Sequence, residues 1–151
     1  MSVSVRLGKG PVTLPNPLSQ SKTATIESVT LSMTSATQDN TAISFMNNMN
    51  DILITIGIRR FANTIVLNSK RANGGWEAEE YYPNLMRVFG PNVDAAKIVV
   101  KDTGNAYEIR CNGNYLTTYT KRIGGGAEKI SYDMNSSQDS PLANPITVKI
   151  E

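Results

Sequence analysis

Four residues of complementary chemistry lie near one another in the middle of the chain. They are a planar cation, a carboxamide, an indole and a carboxylate: Arg59, Asn68, Trp76 and Glu79. A guanidinium and a carboxamide donate hydrogen bonds in fixed directions, and an indole offers an apolar face. If the fold gathers these side chains on one surface, that surface would bind a polar ligand that also has an apolar side.

Each of these residues also has an ordinary structural interpretation. A lone tryptophan is more often part of a core, and a lone arginine more often lies on a solvated face. Trp76, however, follows the flexible pair Gly74-Gly75 and precedes charged residues rather than apolar ones. The four side chains together, on adjoining strands, favour a binding site.

A strand over residues 52–59 is predicted to carry the arginine. Isoleucine occupies every even position from 52 to 58, and β-branched residues with a period of two are typical of a half-buried strand. The isoleucines would form a ridge toward a core. The open face of the strand would carry Leu53, Thr55, Gly57 and Arg59.

A second strand is predicted after a turn at 60–63. Its core face would carry Ile65 and Leu67, and its open face Val66, Asn68 and Lys70. If the two strands pair, Arg59 and Asn68 share one solvated sheet face. The turn-rich segment 71–75 then leads to Trp76 and the acidic run that follows it.

The remainder of the chain repeats this pattern of short strands and turns. Further strands are predicted at 3–7, 23–33, 41–46, 97–101, 106–111, 115–123, 129–134 and 146–150. Prolines between residues 11 and 17 act as breakers, and 83–95 is predicted to be a covering loop with one helical turn. About ten strands separated by turns predict an all-β, antiparallel two-sheet β-sandwich, with residues 1–151 as one domain.

Charge and hydropathy exclude several classes of partner. The formal net charge of +2 is small and the basic residues are scattered, which excludes nucleic acid as a partner. The apolar runs are no longer than a strand, so no membrane insertion is predicted. Residues 1–6 lack the apolar core of a secretory signal. Cytoplasmic synthesis is therefore predicted, with non-classical export as the route to any extracellular role.

Catalytic and metal chemistry is limited by the inventory of side chains. Histidine is absent and Cys111 is the single cysteine, which excludes zinc sites, cysteine–histidine nucleophiles and an internal disulfide. Glu79 and Glu80 are adjacent and would point to opposite faces of a strand, so they cannot form the facing carboxylate pair of a glycosidase. We predict no enzyme, cofactor or metal. A glycosidase using Asp51 or Glu77 stays open as the third hypothesis.

The segments 52–59, 63–70, 73–76 and Glu79 together resemble the carbohydrate-recognition signature of galectins. That signature runs His-x-Asn-x-Arg on one strand, Val-x-Asn on the next, and then Trp-Gly-x-Glu-x-Arg. The likeness extends over nearly the whole chain and is greatest to divergent galectins of fungi and of invertebrates such as sponges. It implies a jelly-roll sandwich with a shallow groove for a β-galactoside on one sheet.

The resemblance also implies a role for each residue of the cluster. The apolar face of galactose would lie on Trp76, and Arg59, held by Glu79, would donate to the axial hydroxyl and the ring oxygen. Asn68 would offer a donor and an acceptor to the exocyclic hydroxyl. Because Trp76 and Glu79 are three residues apart, a bulge or a loose strand start is needed to bring both to the sugar.

Three positions depart from the signature. Thr55 stands in place of the histidine, Gly57 in place of the asparagine and Tyr81 in place of the final arginine. Thr55 has the shorter reach, so its contact with the axial hydroxyl would be lost or carried by water. Tyr81 lacks the cation that would fix the second sugar and the Arg–Glu network. We therefore expect weaker galactoside binding or a shifted specificity.

Two functions follow from these observations. The first is a non-enzymatic lectin that forms a homo-oligomer, a dimer or a tetramer, and binds β-galactosides of the lactose, N-acetyllactosamine or N-acetylgalactosamine type on glycoproteins or glycolipids. The second is a galectin-like protein with lost sugar binding, or with specificity altered toward N-acetylgalactosamine or chitooligosaccharide glycans, that acts through protein–protein contacts. Thr55 and Tyr81 support the second.

Overall fold

The chain folds into two antiparallel sheets of six strands. The structure, a computed structural model, describes residues 1–135 and 139–151; residues 136–138, in the polar loop predicted after Met134, lie outside this part. In spatial order, one sheet contains β1 (Ser2–Val5), β12 (Ile146–Ile150), β3 (Thr23–Ser28), β8 (Ala96–Asp102), β9 (Ala106–Cys111) and β10 (Asn114–Thr120). The other contains β2 (Val12–Leu18), β11 (Ala127–Met134), β4 (Thr41–Met46), β5 (Ile52–Arg59), β6 (Thr64–Lys70) and β7 (Glu80–Pro83).

The core lies between the two sheets. The core contains Ile54, Ile56 and Ile58 of the predicted isoleucine ridge, together with the alternate residues Ile65 and Leu67 of β6. Apolar residues of the opposite sheet, such as Ile98 and Ile109, belong to the same core. Because alternate side chains of a strand point to opposite faces, burial of these residues leaves Thr55, Gly57 and Arg59 on the outer face. The predicted all-β sandwich is confirmed.

The start of β5 departs from strict alternation. Leu53 is fully buried in the core, whereas Ile52 is half-buried. The register of β5 slips by one residue against both neighbouring strands just after Ile52. Such a bulge turns the following side chain to the other face. The predictions that Ile52 belongs to the core ridge and that Leu53 lies on the open face are therefore wrong.

Two other predictions at strand level are corrected. Residues 12–18 were predicted to be broken by prolines, but they form β2, an edge strand that pairs only with β11. An edge strand tolerates prolines because one side of it needs no hydrogen-bond donors. The strand predicted over 23–33 ends at Ser28, whose hydroxyl donates to the Thr30 carbonyl at 2.6 Å and accepts from the Ala143 N–H at 2.7 Å.

The segment after β6 is irregular before it rejoins the sheet as β7. The helical turn predicted within 83–95 is confirmed as α1 (Leu85–Phe89), which begins after the capping residue Asn84. Within residues 1–135 and 139–151, no helix has the length and apolar character needed to cross a membrane.

Candidate functional site

A groove lies on the outer face of β4, β5 and β6, next to the irregular segment 71–79. Its cavity has a volume of about 390 Å³ and brings together residues that are far apart in sequence. The lining consists of Asn40, Ala42, Thr55, Gly57, Arg59, Val66, Asn68, Trp76, Glu77 and Glu79. Five of the six predicted site residues line this groove, and the sixth, Tyr81, touches Glu79 from just outside it.

A bidentate ion pair forms one wall of the groove. Arg59 donates from Nη1 to Oε1 of Glu79 at 3.3 Å and from Nη2 to Oε2 at 2.5 Å. Its Nε donates to Oδ1 of Asn40 at 3.2 Å. Both charged side chains are 30% exposed. A guanidinium has five N–H donors, and three of those of Arg59 make these contacts among residues 1–135 and 139–151.

Tyr81 joins this network through its hydroxyl, which donates to Oε1 of Glu79 at 2.5 Å. The hydrogen bonds from Arg59 and then from Tyr81 lower the pKa of Glu79 below its ordinary value, and the Glu79 acceptor in turn raises the pKa of Tyr81. The carboxylate is therefore held in its ionised form. Tyr81 supplies no cation to the Arg–Glu network, but its neutral hydroxyl contributes a hydrogen bond to the carboxylate that the sequence did not predict.

The floor of the groove is made of small residues, and here the structure reveals Asn40. Gly57 pairs with Ala42 on one side and Val66 on the other. A Cβ added to Gly57 would lie 2.9 Å from Oδ1 of Asn40. The glycine thus leaves room for a carboxamide from the loop before β4. Sequence reasoning missed Asn40, because its contact with Arg59 depends on how β4 pairs with β5.

The hydroxyl of Thr55 is engaged within the sheet. Thr55 lies opposite Ser44 on β4 and Asn68 on β6, and it is only 7% exposed. Its Oγ1 lies 2.9 Å from Oγ of Ser44 and donates to the carbonyl of Ile43 at 3.5 Å. With Ser44 then donating to it, Thr55 keeps one acceptor position for a ligand. This agrees with the short reach expected from its sequence.

The carboxamide of Asn68 is almost fully used by the protein. Its Oδ1 accepts from Nη1 of Arg122 at 2.9 Å and from the Ser69 N–H at 2.8 Å, while its Nδ2 donates to the Glu77 carbonyl at 2.8 Å. One amide N–H is left for a ligand. Asn68 is therefore a donor only, and the acceptor role expected for it was wrong. No local sequence signal pointed to Arg122.

Trp76 lines the same groove and is 53% exposed. It pairs with Lys70 in an isolated bridge, whereas Glu80 pairs with Leu67. One strand thus advances four residues while its partner advances three, so an extra residue is accommodated between Trp76 and Glu80. This irregular start brings Trp76 and Glu79 to the same groove, as the sequence analysis required.

Comparison with known proteins identifies the family. A family model described as galactoside-binding lectin matches residues 9–140. Galectin-1 of Coprinopsis cinerea is 36% identical over 110 residues, which cover 73% of this chain and 69% of that relative.

Solved structures support the fold. Galectin LEC-6 of Caenorhabditis elegans superposes with a TM-score of 0.72 at 15% identity, over 99% of this chain and 95% of that one. A tetrameric galectin from the ball sponge Cinachyrella sp. superposes with a TM-score of 0.66 at 17% identity, over 94% and 96% of the two chains. The resemblance seen in the sequence is confirmed: this chain belongs to the galactoside-binding lectins, the galectins.

Proposed function

We propose that the protein is a lectin that binds β-galactoside-containing glycans in the groove between Trp76 and the Arg59–Glu79 pair. The observation that carries this proposal is the half-exposed indole of Trp76 in the same cavity as the Arg59 guanidinium, which Asn40 and Glu79 hold in a fixed orientation. An indole excludes water from the C–H face of a sugar, and preorganised donors select the positions of its oxygen atoms. These two needs of a sugar site are met by side chains from different elements.

The donors in the groove match an acceptor-rich edge of galactose. Arg59 would donate to the axial hydroxyl and the ring oxygen, and the remaining N–H of Asn68 to the exocyclic hydroxyl. The cavity of about 390 Å³ lies within the range of about 300–1,000 Å³ that is typical of small-ligand sites. Because Glu79 neutralises Arg59, neutral glycans are favoured over anionic ones.

A shifted specificity is the second candidate, and Thr55 favours it. Its hydroxyl is tied to Ser44 and to the backbone of β4, so the axial hydroxyl would meet a single weak acceptor there. Discrimination between axial and equatorial isomers would then rest mainly on Arg59. N-acetylgalactosamine and chitooligosaccharide glycans are therefore included as ligands to be tested, together with the loss of sugar binding in favour of protein contacts.

Calorimetric titration with lactose, N-acetyllactosamine, N-acetylgalactosamine and chitooligosaccharides tests the proposal. Trp76→Ala should abolish or strongly weaken binding, because the apolar contact is lost. Tyr115→Ala is the matched control, since Tyr115 is 54% exposed but lies on β10 of the other sheet. Absence of binding to every sugar by the wild-type protein would reject the lectin and leave the protein-contact function.

We also propose that the site performs no catalysis. Glu79 is held ionised by Arg59 and Tyr81, so it is unsuited to donate a proton as the general acid of a glycosidase. Incubation with an aryl β-galactoside should release no phenol. Release that disappears in Glu79→Gln would contradict this part of the proposal.

A homo-oligomer, a dimer or a tetramer, is the expected working form. A shallow groove with few donors gives a weak single site, and linked sites raise apparent affinity by about 10²–10⁴-fold. Analytical sedimentation should show the oligomer, and the protein should agglutinate glycan-bearing cells. A monomer at all working concentrations would contradict this expectation.

A further inference from the structure

We infer that Arg122 is a positioning residue of the groove: it fixes the orientation of Asn68 and holds the segment that carries Trp76, without lining the cavity itself. This inference rests on the proposed glycan-binding function. Arg122 lies in the connection between β10, in the other sheet, and β11, in the sheet that carries the groove. The lectin site would thus depend on a side chain supplied by the loop that connects the two sheets.

The guanidinium of Arg122 bridges three acceptors. Nη1 donates to Oδ1 of Asn68 at 2.9 Å and to the carbonyl of Ala78 at 2.6 Å, and Nη2 donates to Oε2 of Glu80 at 3.1 Å. The guanidinium carbon lies 5.1 Å from the centre of the Tyr119 ring. A planar cation stacked on an aromatic ring has little freedom to rotate, so its donors are fixed in direction.

Tyr119 anchors this arrangement in the core. Its side chain is fully buried, and its hydroxyl lies 2.5 Å from Oγ of Ser69. Ser69 in turn donates from Oγ to the carbonyl of Leu53 on β5. Arg122 is therefore stacked on a buried ring that is itself hydrogen-bonded to Ser69, the residue after Asn68 on β6.

The segment between Trp76 and Glu80 needs such support because regular sheet pairing is interrupted there. Glu77 is held by its N–H to the Ser69 carbonyl at 3.1 Å and by its carbonyl to Nδ2 of Asn68. Ala78 is held through its carbonyl by Arg122. Removing Arg122 would release Ala78 and leave Oδ1 of Asn68 with the Ser69 N–H alone. Trp76 and the free N–H of Asn68 would lose their fixed positions together.

Arg122→Met and Arg122→Lys test this inference, with Arg110→Met as the matched control. Arg110 also stacks on a tyrosine, at 5.5 Å from the Tyr115 ring centre, but it is on β9, away from the groove. Two readouts are needed: the dissociation constant for lactose, and the fluorescence anisotropy decay of Trp76, the sole tryptophan, in the sugar-free protein. The second readout reports local motion of the indole and would not move if Arg122 only added stability.

Arg122→Met should weaken lactose binding by about tenfold, the effect of losing hydrogen bonds to a charged donor, and should increase the fast local motion of Trp76. Arg122→Lys should lie between wild type and Arg122→Met, since one ammonium cannot bridge three acceptors in the same geometry. Arg110→Met should match wild type in both readouts.

Wild-type affinity and wild-type anisotropy in Arg122→Met would overturn the inference, and so would a lower melting temperature with both readouts unchanged. If Arg122→Met does not fold, Arg122→Lys decides by the same two readouts. If the wild-type protein binds no sugar, the proposed function fails, and the anisotropy of the sugar-free variants still decides whether Arg122 orders Trp76.

Discussion

Gly57 and Asn40 are predicted to act as one unit in ligand binding. A Cβ at position 57 would meet Oδ1 of Asn40 at 2.9 Å, whereas its next contacts, with Val66, are at 3.5 and 3.7 Å. Gly57→Ala should therefore displace the Asn40 carboxamide from Arg59 and leave the strand intact. The displaced group is the end of a flexible side chain, so the free energy of unfolding should fall by no more than about 1 kcal/mol, the contribution of the hydrogen bond that is lost.

The effect on binding follows from the hydrogen bond that is lost. Nε of Arg59 donates to Asn40 at 3.2 Å, and the Arg59 side chain is 30% exposed. A hydrogen bond to a charged group contributes about 1.5–3 kcal/mol when buried, and exposure reduces this to about 1 kcal/mol. Gly57→Ala and Asn40→Ala should each weaken binding about fivefold.

A double-mutant cycle, measured by calorimetric titration with lactose, tests whether Gly57 and Asn40 act as one unit. In the Asn40→Ala background, Gly57→Ala meets only ordinary contacts, so the double variant should bind about as well as either single variant. The coupling free energy should be about 1 kcal/mol, close to the whole single effect. Additive losses in the double variant, or wild-type affinity in Gly57→Ala, would refute the reasoning.

Three further predictions concern the ion pair and the core. The pKa of Glu79 in the folded protein lies below the ordinary 4.5, so its carboxylate should support lactose binding and folding stability at any pH above 4.5. Both contributions should be lost as the pH falls through the lowered pKa. Lactose titrations and urea unfolding at a series of pH values check this, and a loss well above pH 4.5 would contradict it. Tyr81→Phe removes an exposed donor to Glu79, so lactose binding should weaken by less than about fivefold. The pH below which binding is lost should rise, because the pKa of Glu79 is no longer lowered by the hydroxyl. If that pH stays unchanged in the same pH series, the hydroxyl has no such role. Leu53→Ala should lower the free energy of unfolding, measured in urea, by about 2–5 kcal/mol, because Leu53 is fully buried. Ile52→Ala should lower it by less than about 1.5 kcal/mol, and equal effects of the two variants would contradict the bulge in β5.

The local sequence pattern was sufficient to predict most of the strands. β4, β5, β9 and β12 begin and end at the residues predicted from alternation and flanking turns. Period-two burial and turn residues act over a few positions, so they can be detected in a single sequence. The edge strand β2 was missed because its prolines break strands in general, and only its place at the edge makes them acceptable.

The outline of the site was also predictable, but its supporting contacts were not. Arg59, Asn68, Trp76 and Glu79 could be grouped because a hairpin and a short connection place them on one face. Asn40 could not be foreseen, since its carboxamide reaches Arg59 from 19 positions away. Arg122 reaches Asn68 from 54 positions away and from the connection between β10 and β11. Such contacts depend on sheet order and packing, which a one-dimensional pattern does not contain.

Predicting the two bulges from the sequence met the same limitation. A register slip after Ile52 buries Leu53, and an extra residue between Trp76 and Glu80 brings Glu79 to the groove. The second bulge was inferred from the function it had to serve, and the first left no trace in the alternating sequence. Bulges are decided by how neighbouring strands pair, so sequence alone predicted one and missed the other.

The central claim is that a galactose residue lies on Trp76, and titration of its intrinsic fluorescence tests this most directly. Trp76 is the sole tryptophan and is 53% exposed, so emission excited selectively in tryptophan reports the groove. Addition of lactose should produce a saturable blue shift as water leaves the indole, with the same dissociation constant as calorimetry. Maltose, which lacks galactose, should produce no saturable shift. Calorimetric binding of lactose without any change in Trp76 emission would contradict the account.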